Sequence, residues 1–165
     1  MWLNQRADYA VRLAVELACL PEGGRTTARE VARRQDIPER FVSKIVTQAV
    51  TAGVVTARRG TGGGLALAKA AENISLLEVV EAVERPLALS KCTLEPSECL
   101  LSNRCAVHPV LDRVLNQLRD VLAQTTIAEL ARAQKELVTG KKAGSSRRGE
   151  GKRAIMSTAP SAFST

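Results

Sequence analysis

The 165-residue sequence predicts a mainly α fold: a winged helix-turn-helix with a small β-hairpin wing and a long C-terminal dimerisation helix. Three observations predict it. Two short helical patterns flank the tight turn Asp36-Ile37-Pro38. A glycine-rich tip ending in Gly62-Gly63-Gly64 stands between two β-like runs. A long apolar periodicity then opens at Pro109. The composition agrees, with 45% hydrophobic, 25% charged and only 2% aromatic residues (Trp2, Tyr9, Phe41 and Phe163). A Leu, Val and Ala core under a charged surface is usual for a helical protein.

Residues 4–20 read as a first helix, with Ala7, Ala10, Val11, Ala14, Val15 and Ala18 as its apolar stripe. Pro21-Glu22-Gly23-Gly24 ends it. Thr27-x-x-Glu30 is a capping box for a short helix over 28–35, with Val31 and Ala32 inward. After the Asp36-Ile37-Pro38 turn, Pro38 suits the start of a second helix, which runs from about Glu39 to Ala52 and is closed by Gly53. Its pattern turns Phe41, Val42, Ile45, Val46 and Ala49 inward and leaves Arg40, Ser43, Lys44, Thr47 and Gln48 outside. Val54–Ala57 and Leu65–Ala68 flank the glycine-rich tip as a hairpin carrying Arg58 and Arg59. Ser75-x-x-Glu78 caps a helix to about residue 84, and Arg85-Pro86 stops it. From Pro109, Val110, Leu111, Val114, Leu115, Leu118, Val121 and Leu122 recur at helical spacing, and Thr126-x-x-Glu129 caps a last helix to about Lys135. Residues 1–137 thus read as one DNA-binding and dimerisation domain with a cysteine loop at about 87–108. Residues 138–165 read as a disordered basic tail.

The net charge of +7 is unevenly distributed. Residues 25–69 hold nine basic and three acidic side chains, residues 139–165 six basic and one acidic, and residues 70–138 carry an acidic excess. A folded basic patch is the electrostatic footprint of a polyanion, because each neutralised phosphate releases counterions. A helix fits the major groove of duplex DNA, so Arg40, Ser43, Lys44, Thr47 and Gln48 are candidate readers of base edges and phosphates. Arg58 and Arg59 on the wing suit a narrow minor groove. The scarcity of aromatics argues against single-strand binding, which uses stacking platforms. The apolar helix from Pro109 predicts a two-fold homodimer reading a pseudo-palindromic operator; the competing view is that it only covers its own domain.

Other classes find no support. No nucleophile–base pairing, phosphate loop or dinucleotide fingerprint points to an enzyme. No apolar run approaches the roughly 18 residues of a membrane span. The start lacks a signal-peptide pattern, so a cytoplasmic protein is the expectation.

Four cysteines complete the inventory: Cys19 on an apolar helix face, and Cys92, Cys99 and Cys105 together in the loop. The three are separated by six and five residues, and His108, the sole histidine, follows closely. Soft thiolates at loop-borne spacing suit an iron–sulfur cluster, whereas structural zinc usually takes paired Cys-x-x-Cys knuckles, which are missing here. Zinc, or no metal at all, is the alternative.

The features Asp8-Tyr9-Ala10-Val11-Arg12, Ile37-Pro38-Glu39-Arg40-Phe41-Val42, Arg59-Gly60-Thr61-Gly62-Gly63-Gly64, the three spaced cysteines and Thr126-Ile127-Ala128-Glu129-Leu130 together resemble the Rrf-two family of bacterial winged-helix regulators, which includes IscR and NsrR. The resemblance covers about residues 1–137. It implies a homodimeric transcription factor, a repressor or dual regulator, whose DNA affinity follows a [2Fe–2S] or [4Fe–4S] cluster that responds to iron–sulfur status, redox stress or nitric oxide. By the same resemblance Cys92, Cys99 and Cys105 match the three thiolate ligands. His108 matches the Cys-x-x-His arrangement of IscR-like members, and Asp8 matches the position from which a partner subunit completes the cluster in some nitric-oxide sensors. Ser43, Lys44 and Arg59 fall on DNA-contacting positions. The six-residue gap between Cys92 and Cys99 departs from the five of IscR-like members.

Overall fold

The computed structural model describes residues 5–84, 87–95, 97, 99, 101 and 104–140. Its elements are α1 (Gln5–Ala18), α2 (Ala28–Gln35), α3 (Glu39–Thr51), β1 (Val55–Arg58), β2 (Gly64–Leu67), a 3₁₀ turn (Ala71–Asn73), α4 (Leu76–Val83), α5 (Lys91–Leu94), α6 (His108–Gln124) and α7 (Ile127–Gly140). This is the mainly α winged helix-turn-helix that the sequence predicts. Among the described residues no helix is long and apolar enough to cross a membrane.

The core forms around α1, which packs against α2, α3, α4, α7 and β2. Being surrounded, α1 buries a wider face than its predicted stripe. Ala7, Ala10 and Ala14 are buried as expected, but so are Tyr9, Leu13 and Leu17, while Val11 and Ala18 are only partly covered. Val31 and Ala32 of α2, Val42, Ile45 and Ala49 of α3, and Val79, Val80 and Val83 of α4 close the same cluster.

Local chemistry sets the helix ends. The Glu30 amide donates to Thr27 Oγ1 (3.1 Å), but the Glu30 carboxylate accepts from Thr26 Oγ1 (3.3 Å) instead of reaching back to the cap amide, so only half of the box forms. Asp36 turns the chain in the left-handed region (φ 51°), which a short polar side chain tolerates. Ser75 accepts from the Glu78 amide (3.1 Å). Thr126 and Glu129 make the full reciprocal box, at 3.1 and 3.2 Å. These last two caps lie side by side: Ser75 and Thr126 form an antiparallel bridge, the Leu76 amide donates to the Thr125 carbonyl (2.8 Å) and the Ile127 amide to that of Ile74 (2.9 Å). Ile74 and Ile127 are both fully buried beneath this clamp.

The wing is antiparallel, with Val55 opposite Leu67 and Arg58 opposite Gly64. Both strands thus sit one residue closer to the tip than predicted. Thr26 adds a bridge on the far side of β2, exchanging backbone hydrogen bonds with Leu65 at 3.1 and 2.7 Å. Gly64 is required at this crossing: its φ is +132°, and a Cβ would stand 2.7 Å from the Thr26 carbonyl oxygen. The last helix runs beyond Lys135 to Gly140, with Thr139 Oγ1 donating to the Lys135 carbonyl (2.8 Å). The rest of the predicted tail, 141–165, lies outside the described residues. Gly64→Ala is expected to lower stability by about 2 kcal/mol. Gly53→Ala, at φ +73° with open space around it, should cost only about 1 kcal/mol. Thermal unfolding of the two variants against the parent checks this ordering.

Candidate nucleic-acid interface and cysteine segment

The helix α3 exposes Arg40, Ser43, Lys44 and Thr47, which the 3.6-residue period places on one face. The opposite face, Val42, Ile45 and Ala49, holds the helix to the core. Arg40 lies over the Phe41 ring at 5.1 Å, and Phe41 in turn meets Tyr9 with ring centroids 5.7 Å apart. This cation–π contact fixes the arginine without neutralising it. Thr47 Oγ1 donates to the Ser43 carbonyl (2.9 Å), leaving its oxygen lone pairs outward. Arg58 and Arg59 are exposed at the end of β1, and Arg25 Nη1 donates to the Gly64 carbonyl (3.1 Å), tying the base of the wing.

Charge neutralisation separates these residues from their neighbours. In and around α2, Arg29 pairs with Glu39, Arg33 with Glu30, and Arg34 with both Glu16 and Glu30. The carboxylates of Glu16 and Glu30 hold the Arg34 guanidinium pKa above its usual value, chiefly through the hydrogen bond to Glu16. Among the described residues, Arg40, Lys44, Arg58 and Arg59 have no carboxylate partner. The helix α3 and the wing therefore present cations available to an external anion.

Gln48 departs from the outward placement predicted for it. It is half-buried, and its Nε2 donates to the Val83 carbonyl at the end of α4 (3.2 Å). Its long amide side chain bends from the edge of α3 to the adjacent helix, where Oε1 is buried without a partner among the described residues. Such an orphan acceptor costs about 1–3 kcal/mol. In this arrangement Gln48 serves the α3–α4 contact rather than the exposed face.

The cysteine segment begins with α5. Ser90 and Thr93 organise its start, Thr93 Oγ1 accepting from the Leu89 and Ser90 amides at 3.1 Å. Cys92 Sγ stands 3.1 Å from Ser90 Oγ, and Cys92, Cys99 and Cys105 are all partly exposed free thiols. His108 is the first residue of α6; its Nδ1 is buried and has no hydrogen-bond partner among the described residues. Asp8 lies on α1 in a half-exposed pair with Arg12 (3.0 Å). The donor set, three thiols and an orphaned imidazole nitrogen, has the chemistry for a metal or cluster. The geometry is not gathered: among the described residues no three His, Cys, Asp or Glu side chains converge as metal ligands.

Two features escaped sequence reasoning. Arg119 of α6 pairs with Glu81 of α4 at 2.7 Å, a link across 38 positions with no local signal. The apolar stripe of α6 also divides. Leu115 and Leu122 are buried and Leu111 and Leu118 half-buried, whereas Val107, Val110, Val114 and Val121 are exposed, Val121 by 62%.

The arrangement defines a winged-helix DNA-binding regulator, and comparison with known proteins places it further. The sequence profile of the Rrf2 family, described as an iron-dependent transcriptional regulator, matches residues 3–133. The chain therefore belongs to this Rrf-two family, and it is a DNA-binding transcriptional regulator rather than an enzyme. Its fold is similar to that of CymR (YrzC), the global cysteine regulator of B. subtilis, at TM-score 0.69 and 22% identity, over 81% of this chain and 98% of that one. The CymR of Staphylococcus aureus is similar at TM-score 0.62 and 25% identity, over 78% and 96%. IscR of T. potens matches at TM-score 0.65 and 20% identity, over 90% and 94%.

Cys19 stands apart from the segment. It lines a cavity of about 390 Å3 between the ends of α1, α2 and α7, with its Sγ 3.7 Å from the Ala131 carbonyl oxygen. Burial pushes its thiol pKa above the ordinary 9.0, with Lys135 opposing and Glu16 adding to the rise. The folded state thus holds this proton more tightly than the unfolded state. Its contribution to stability is complete below pH 9.0 and is lost as pH rises through the folded value. Cys19→Ala should remove that part of the alkaline decline, measured as denaturant midpoint against pH.

Proposed function

We propose that the chain acts as a dimeric transcriptional repressor or dual regulator whose hold on a pseudo-palindromic duplex is set by an iron–sulfur cluster on the cysteine segment. The observation that carries the reading is the set of exposed cations Arg40, Lys44, Arg58 and Arg59, which have no carboxylate partner among the described residues, with Ser43 between the helix cations and Thr47 one turn further along. In this reading α3 enters the major groove. Arg40 and Lys44 bind phosphates or base edges, Ser43 and Thr47 read bases, and Arg58 and Arg59 follow the minor groove.

The exposed valines of α6, with Val107 just before its first residue, support the dimer. Val107, Val110, Val114 and Val121 recur at spacings of three, four and seven along one side, a seam suited to a second copy. Burying that seam leaves Leu115 and Leu122 in their own chain's core.

On the cysteine segment, Cys92, Cys99 and Cys105 supply three thiolates, and either His108 or Asp8 from the second subunit supplies the fourth ligand. The family and the donor set support this assignment. When bound, a [2Fe–2S] or [4Fe–4S] cluster supplies a centre sensitive to iron supply, oxidants and nitric oxide. To hold it, the segment must draw Cys92 and Cys99 toward Cys105 and the start of α6. A second reading is that the segment holds zinc or no metal, since the same free thiols are also zinc ligands.

Three measurements test the proposal. Lys44→Ala and Arg59→Ala should each weaken duplex binding and reduce the slope of log affinity against log salt by about 1. Val114→Glu should shift the chain from dimer to monomer in sedimentation while its helical content is kept. Anaerobic reconstitution with iron and sulfide should give a coloured protein whose DNA affinity differs at least about fivefold from the metal-free form, and Cys105→Ser should abolish both colour and difference. A colourless zinc protein with unchanged affinity would establish the second reading.

A further inference from the structure

Three attachments converge on the last turn of α4. From α3, Gln48 Nε2 donates to the Val83 carbonyl (3.2 Å). From α6, Arg119 Nη1 donates to Glu81 Oε1 (2.7 Å). The same Glu81 oxygen accepts from the Leu87 amide (3.4 Å), where the chain heads toward the cysteine segment. We propose that this turn is the junction through which the cysteine segment and α6 set the recognition helix, with Gln48, Glu81 and Arg119 as positioning residues. The inference rests on the reading of the cysteine segment as the regulated element.

The helix α4 is built to act as a lever. Its N-terminal end is pinned by the Ser75–Thr126 bridge and the Leu76-to-Thr125 hydrogen bond, above the buried Ile74 and Ile127. Its eight residues span about 12 Å at 1.5 Å per residue, so a tilt of about 10° about the pinned end moves the far end by roughly 2 Å. That far end carries both Glu81 and Val83. Apolar contacts are not directional, so packing through Val42, Ile45 and Ala49 holds α3 against the core without itself fixing small rotations about its axis. The Gln48 hydrogen bond opposes such rotation. Gln48 lies one turn beyond Lys44, so motion of the Val83 carbonyl is passed directly to the DNA-facing residues.

Two acceptors at the junction, Gln48 Oε1 and Glu84 Oε1, are buried without partners among the described residues. A half-satisfied polar network holds one arrangement only weakly against another that satisfies it better. Glu81, shared between Arg119 and Leu87, shifts its partners when either the α6 side or the segment side moves. Those are the properties of a two-position element biased from one side and read from the other.

Reciprocity supplies the test, because whatever lets the segment alter DNA binding must let DNA alter the segment. The full chain is used metal-free, with a duplex selected from a random-sequence library by the parent protein as the probe. Maleimide modification of Cys92, Cys99 and Cys105 is followed by mass spectrometry with and without that duplex. Saturating duplex should change the loop-thiol rates at least about threefold in the parent, and Gln48→Met should abolish the change. Arg119→Met should alter duplex affinity by about fivefold in the parent background and not in Gln48→Met. Additive effects of the two substitutions, or a duplex response that persists in Gln48→Met, would overturn the junction. Should Gln48→Met lose its helical circular dichroism, Gln48→Asn, which keeps the amide but falls short of the Val83 carbonyl, replaces it. Loading with iron and sulfide separates the two ideas. Equal affinity of loaded and metal-free parent removes the cluster reading, while a persisting duplex–thiol linkage upholds the junction.

Discussion

The clamp between the starts of α4 and α7 is the constraint from which the rest of the architecture follows. Two helix N-termini share one short antiparallel bridge, with Ser75 and Thr126 each capping its own helix and Ile74 and Ile127 sealed beneath. A helix start leaves several amides without partners, and this arrangement satisfies them for both helices in one place. It also ties the junction between α6 and α7 to the winged domain, α6 then packing on α4 and α7 on α1. Without it α7 would have no fixed start from which to lie along α1, and α4 would have no fixed end.

From that anchor the chain separates two kinds of charge. Around α2, arginines are absorbed by Glu16, Glu30 and Glu39, and because these pairs are exposed and screened by solvent they contribute little to stability. Their effect is to direct α2 and its turn. On α3 and the wing, the cations lack carboxylate partners among the described residues and stand on elements held by apolar packing and by the Thr26–Leu65 bridge. Rigidity and available charge thus come from different residues. The acidic and apolar C-terminal portion completes the division, with Leu115 and Leu122 packing inward and the valines of α6 facing out.

Much of this was legible in the sequence because it is local. The capping residues Thr27, Ser75 and Thr126, the turn at Asp36-Ile37-Pro38 and the glycine-tipped hairpin each carry their signal within a few positions. The misses have a common origin in tertiary surroundings. The predicted stripe of α1 omitted Leu13 and Leu17 because a helix packed on several sides has no single apolar face. Periodicity on α6 could not distinguish the leucines that find partners in their own chain from the valines that do not. Polarity alone places Gln48 outward, yet a long amide at the edge of a helix can reach a neighbour's carbonyl. The Glu81–Arg119 pair joins distant segments and leaves no trace in spacing. Cys92, Cys99, Cys105 and His108 are recognisable as a donor set from the sequence, but their positions relative to one another depend on tertiary packing that spacing does not encode.

The return of α7 has a practical consequence. Because this helix runs back along α1, Val138 and Thr139 finish beside Arg34 and Gln35 at the end of α2. The described chain therefore closes beside the C-terminal end of α2. A fluorophore or affinity handle joined directly after Gly140 is rooted close to the helix-turn-helix, and its signal reports on that neighbourhood more than on the outer face of α6.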